Sequence, residues 1–113
     1  MNKESLLQLA TTINCEYESG VWVELNALME YNEDIIKEYN LTFDDNLNSF
    51  HLNVKMKDSN KDGIETFFKS FVEFMEYGDA TFYIKEEYDK HIDYYFLSTM
   101  DTEKGMLIIV SFS

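Results

Sequence analysis

In the stretch DSNKDG, Asp58 to Gly63, oxygen-bearing side chains stand at alternate positions ahead of a glycine, the spacing with which a chain wraps a hard cation such as calcium. Counted from Asp58, the twelfth residue, where a twelve-residue calcium loop closes on a bidentate carboxylate, is Lys69, a cation. The same residues fit a second role. Asp62 followed three residues later by Glu65 makes a capping box, and Asp58, Ser59, Asn60 and Gly63 are turn formers. The stretch is therefore expected to end a strand and start a helix, with no metal held.

Over six positions the spacing is similar to the EF-hand loop, a family that implies a helix before the loop. Here the preceding segment is FHLNVKMK, an alternating strand pattern. Elsewhere the groups that do chemistry are scattered. His51 and His91 have no second His, Cys or Glu at an HxxxH or HExxH spacing. Cys15 is the single cysteine and reads as a small half-buried apolar residue. There is no GxSxG, no Walker loop and no GxGxxG. Carboxylates do come in pairs: Glu33 and Asp34, Asp44 and Asp45, Glu86 and Glu87 with Asp89. Acid–base work requires environments that separate two pKa values, and in so acidic a chain these side chains are expected to be solvated. The expectation is a protein that is not an enzyme and has no catalytic residue, metal or cofactor.

Charge says more. There are 22 Asp and Glu against 9 Lys and Arg, all of them Lys, for a net charge of −13. DNA, RNA and anionic membranes are bound by displacing counterions with Lys and Arg, so neither nucleic acid nor membrane is an expected partner. Without Arg the chain also lacks the bidentate clamp for phosphate substrates. A field of this sign favours a basic protein partner. The residues first expected to meet it are Glu30, Glu33, Asp34, Glu38, Asp44 and Asp45. A second patch is expected at Glu86, Glu87, Asp89 and Tyr94, because EEYDKHIDYY interleaves acids with aromatics.

The elements that would position these residues read most clearly in the second half. Phe50, Leu52, Val54 and Met56 alternate with His51, Asn53, Lys55 and Lys57, a half-buried strand. Ile64, Phe67, Phe68, Phe71, Val72 and Met75 recur at helical steps, giving a main helix at about 63–77 with Gly78 as its C-terminal cap. Strands are expected at 80–85, 91–100 and 105–112, the last two joined by the turn DTEKG with Gly105 at positive φ. The last strand is apolar on both sides, which places it inside the sheet with something covering part of its second face. SLLQLATTI, Ser5 to Ile13, has helical spacing and a Ser5/Gln8 capping box. Residues 20–39 fit a strand followed by a helix or one helix, and a helix over about Leu25–Tyr39 is the preferred reading.

These patterns give a single globular domain, residues 1–113, of class α+β. Its sheet has about four mostly antiparallel strands, the 63–77 helix packs on it, and one or two helices precede it. No apolar run reaches the 18 residues of a membrane span and no signal-peptide cleavage region follows the N-terminus, so a cytoplasmic location is expected. In size and charge the chain resembles bacterial immunity proteins and phage anti-defence proteins, which implies inhibition of a nuclease-type toxin or a nucleic-acid-binding effector. Two other classes stay open: a homodimeric assembly domain using the half-apolar sheet face, and a small-molecule or catalytic pocket using His51 or His91 with an Asp or Tyr.

Overall fold

Phe50, Leu52, Val54 and Met56 are all buried on one side of the strand Ser49–Met56, while Asn53 and Lys55 on the other side are exposed. A pleated strand sends successive side chains to opposite faces, so this alternation fixes which face meets the core. The computed structural model describes residues 1–58, 60–75, 80–100 and 104–113. In chain order its elements are α1 (Lys3–Thr12), β1 (Asn14–Cys15), α2 (Ser19–Tyr31), β2 (Ile36–Asp44), β3 (Ser49–Met56), α3 (Lys61–Phe74), β4 (Ala80–Glu87), β5 (Ile92–Thr99) and β6 (Lys104–Phe112). The class is α+β, and the mixed sheet has six strands where about four were expected.

The strands lie in the order β2-β3-β6-β5-β4, with the two-residue β1 beside the start of β6. β3 and β6 are parallel, and the other long neighbours are antiparallel. β6 is central, as its two apolar faces require. Val110, Ile108 and Phe112 face α2 and α3, whose Leu25, Met29, Phe67, Phe68 and Phe71 complete the larger core. On the opposite face Leu107 joins Leu97 and Cys15 beneath Leu6 and Ala10 of α1. Each large apolar side chain in these cores contributes about 1.5–3 kcal/mol before entropy is subtracted.

Residues 25–39 do not form one helix. Leu25 and Met29 belong to α2, which ends at Asn32, whose Nδ2 donates to the Leu28 carbonyl at 2.8 Å. The chain then turns into β2, in which Tyr39, Leu41 and Phe43 face the larger core. Ile36 lies out of phase because the register shifts between Ile36 and Glu38. That irregularity breaks the period of two and leaves Ile35, Ile36 and Tyr39 at helix-like spacing.

The helix caps also differ. Asn60, and not Asp62, caps α3, its Oδ1 accepting from the Asp62 amide at 2.8 Å. Asn2, and not Ser5, caps α1, its Oδ1 accepting from the Ser5 amide at 2.8 Å. Both helices therefore start earlier than the capping boxes implied. Gly105 lies within β6, where its backbone requires closeness and not a positive φ: a Cβ there would meet the Ser98 carbonyl and Ile13 Cγ2 at 2.8 Å. The expected cap at Gly78, the last two residues of the 63–77 helix, Ser59 of the loop and Asp101–Glu103 of the turn lie outside the described residues.

Candidate partner-binding surface

The sheet has two ends, and the expected acids divide between them. β2 and β5 begin, and β3, β4 and β6 finish, at what we term the lower end. Glu30 in the last turn of α2, Glu33 and Asp34 just beyond it, and Glu38 in β2 all belong to this end. So do Glu86 and Glu87 at the close of β4 and Asp89 after it, on the opposite edge of the sheet. Four strand spacings, roughly 19 Å, separate the two edges. Asp44 and Asp45 stand at the far end of β2, roughly 25 Å along the strand, so the first expected set is split.

Tyr94 is a correction. It is 2% exposed and its ring stacks on Phe68 with centroids 3.7 Å apart, so it belongs to the core and not to a contact patch. Alternation along β5 sends Tyr94 inward with Ile92 and Phe96, which puts Asp93 and Tyr95 on the opposite face.

The acids differ in how far lysines already neutralise them. Glu87 is held by Lys85 at 2.7 Å and Lys61 at 3.2 Å, and their hydrogen bonds and charges keep its carboxyl below the usual range. Glu86 accepts Lys3 at 3.3 Å, a bond that raises the Lys3 pKa, and the same ammonium lies 5.4 Å from the centre of the Tyr95 ring. The Tyr88 hydroxyl donates to Glu86 at 3.3 Å and its ring stacks on His91, which lies 3.6 Å from Asp93. This half of the second patch is thus knit to itself. Asp44 is also engaged, its Oδ1 accepting from the Asn46 and Leu47 amides and its Oδ2 lying 3.9 Å from His51. Among the described residues, Glu30, Glu33, Asp34, Glu38, Asp45 and Asp89 make no ion pair and remain as unneutralised exposed charge.

Sequence reasoning missed two features. Glu16, Tyr17 and Glu18 precede α2 at the upper end, and Tyr17 stays 49% exposed although its ring touches those of Trp22, Phe43 and Phe50. The signal was present as EYE, the same interleaving of acid and aromatic noted in EEYDKHIDYY. The second feature is a cleft of about 590 Å³ between the end of α2 and the start of α3. Leu28, Met56, Phe67 and Phe71 give it apolar walls, and Asp34, Asp58 and Asp62 bring carboxylates to it. Nothing in the sequence brings Asp34 and Asp62 together before β2 is recognised as a strand.

The face of the sheet beyond α1 is polar and open. Asn40, Asn53, Ser111, Asp93 and Glu86 form one row across the five long strands, and a shallow groove of about 670 Å³ runs beside it. His51 and His91 belong to separate strand ends, each beside its own aspartate, Asp44 and Asp93. The apolar residues that suggested a homodimer face, Leu107 and Ile109, are buried, Leu107 beneath α1. Among the described residues no group of three or more His, Cys, Asp or Glu side chains is gathered for a metal ion, and no helix is long and apolar enough to cross a membrane. No family model, curated protein or solved structure matches the chain.

Proposed function

We propose that this protein is a non-catalytic acidic binder that occupies the nucleic-acid-binding face of a basic protein and so inhibits it, as an immunity protein to a nuclease-type toxin or an anti-defence inhibitor would. The observation that carries this reading is the surplus of exposed carboxylates with no lysine partner among the described residues, Glu30, Glu33, Asp34, Glu38, Asp45 and Asp89 included, on a chain of net charge −13. Such a field raises the rate of encounter with a positive cleft, and carboxylates held on a folded frame can take the places of phosphates. Exposed Tyr17 and Tyr31, 49% and 88% accessible, supply rigid apolar contact area beside the acids, which charge alone would not give.

The test is capture from a lysate of the organism that encodes the chain, with the protein immobilised and the column developed by a salt gradient. The expected result is a basic protein that elutes as salt rises and that nucleic acid displaces from the column. A captured partner of neutral or acidic character, indifferent to nucleic acid, would overturn the reading.

A further inference from the structure

We infer that the cleft between α2 and α3 is the pocket into which the basic partner inserts one arginine side chain, its alkyl stem on the apolar walls and its guanidinium among the carboxylates of Asp34, Asp58 and Asp62. The inference rests on the proposed function and names the place where it operates.

The shape and the chemistry of the cleft match that occupant in different parts. Its volume of about 590 Å³ is that of a small-ligand pocket, several times one side chain, so it admits an arginine with room left for the partner's flanking residues. Leu28 comes from α2, Met56 from β3, and Phe67 and Phe71 from α3, so most of the apolar wall belongs to three packed elements, with Ile35 added by the connection between α2 and β2. An apolar side chain alone would satisfy those walls and leave the carboxylates without counterions. A bare cation would leave the walls in water, and among the described residues the three carboxylates are not gathered closely enough to share a metal ion. A long basic side chain meets both demands, because its stem is apolar and its charge sits at the tip.

The electrostatics of the cleft favour a cation once the helix ends are counted. α3 begins at the cleft and brings partial positive charge, while α2 ends there and brings partial negative charge of similar size, so the two contributions oppose each other. What remains is three carboxylates against the single ammonium of Lys57. Asp34 and Asp62 make no ion pair, and their side chains accept no hydrogen bond, among the described residues. Asp58 has one oxygen engaged, Oδ1 accepting from the Asn60 amide at 3.2 Å. Guanidinium is preferred to ammonium because its planar fork can bond two carboxylate oxygens at once.

The experiment is a titration of the isotope-labelled protein, followed by backbone amide shifts, with three probes at low salt: acetyl-arginine N-methylamide, its neutral citrulline isostere and a hexa-arginine peptide. The single arginine is expected to shift amides around the cleft, those of Asp34, Lys57, Gly63 and Ser70, and the citrulline probe to bind about tenfold more weakly or worse. Asp34→Asn with Asp62→Asn should weaken arginine binding by about fivefold or more, and Lys57→Gln should strengthen it about two- to threefold. Ser70→Trp, which fills the cleft without changing its charge, should abolish the shifts. Equal binding of arginine and citrulline, or shifts spread over distant acids such as Glu16 and Asp89, would overturn the cleft while leaving the acidic binder in place. Failure of hexa-arginine to bind anywhere would overturn both.

Discussion

The Tyr94 ring lies flat on Phe68, with centroids 3.7 Å apart and planes within 15°, and its buried hydroxyl has no hydrogen-bond partner among the described residues. A buried hydroxyl without a partner costs free energy that its removal recovers. Tyr94→Phe is therefore expected to leave stability unchanged or raise it by up to about 1 kcal/mol. Phe68→Ala, which empties the same stack, should cost about 3–5 kcal/mol. Urea midpoints check both. A loss of more than about 1 kcal/mol in Tyr94→Phe would mean that the hydroxyl has a partner.

The start of α3 gives a second prediction. Asn60 Oδ1 accepts from the Asp62 amide at 2.8 Å, while Asp62 lies in the first turn and acts through the helix dipole. Asn60→Ala should cost about 1 kcal/mol, and Asp62→Ala about 0.3–0.5 kcal/mol. The reverse order in thermal or urea unfolding would restore Asp62 as the cap.

Alkaline pH should destabilise the fold. Burial raises the pKa values of the Cys15 thiol and of the Tyr39, Tyr94 and Tyr95 phenols, and the bonds to Glu86 and Glu87 raise those of Lys3 and Lys85. In each case the folded state holds its proton longer than the unfolded chain does. The stability linked to these groups is present below their unfolded values and is lost as pH rises through the folded ones. The unfolded values are about 8.5 for Cys and about 10 for Tyr and Lys, so the urea midpoint should fall between about pH 9 and pH 11. Glu87 acts on the acid side, where its depressed pKa means that the linked stability is lost as pH falls below about 4. A midpoint that rises from pH 8 to pH 10.5 would contradict the alkaline part.

Cys15, 5% exposed in the smaller core and with its thiol pKa raised by burial, should react slowly with a thiol reagent in the native state and quickly in denaturant. Labelling followed by mass spectrometry reads this directly. Rapid native labelling would show that α1 lifts from the sheet.

Much of the fold is legible wherever a strand or helix keeps its own period. β3 alternates without a break, and α3 repeats Ile64, Phe67, Phe68 and Phe71 on one stripe, so both are readable from residue types alone. β6 is readable as central because it is apolar on both faces. β2 is not readable, since the register shift at Ile36 hides the alternation of Tyr39, Leu41 and Phe43. β1 has only two residues, Asn14 and Cys15, and owes its existence to pairing with Lys104 and Gly105, a tertiary cause with no local signal. The surface suffers from the same limits. Glu33 and Asp34 fall inside the helix expected over about Leu25–Tyr39, but they follow the end of α2, and that placement is what brings Asp34 to the cleft with Asp62. Tyr94 and Tyr95 read alike, and only the face assignment of β5 separates the core residue from its neighbour.

The central claim is that unneutralised carboxylates recognise a basic partner, and the affinity for the captured protein as a function of salt tests it most directly. Contacts between exposed charges weaken as the screening length shortens, from roughly 14 Å at 0.05 M to about 6 Å at 0.3 M. The account predicts that affinity falls by about 100-fold or more over that range, with a shallower slope for the Asp34→Asn, Asp62→Asn variant. A change of less than about threefold, the same in both proteins, would contradict it.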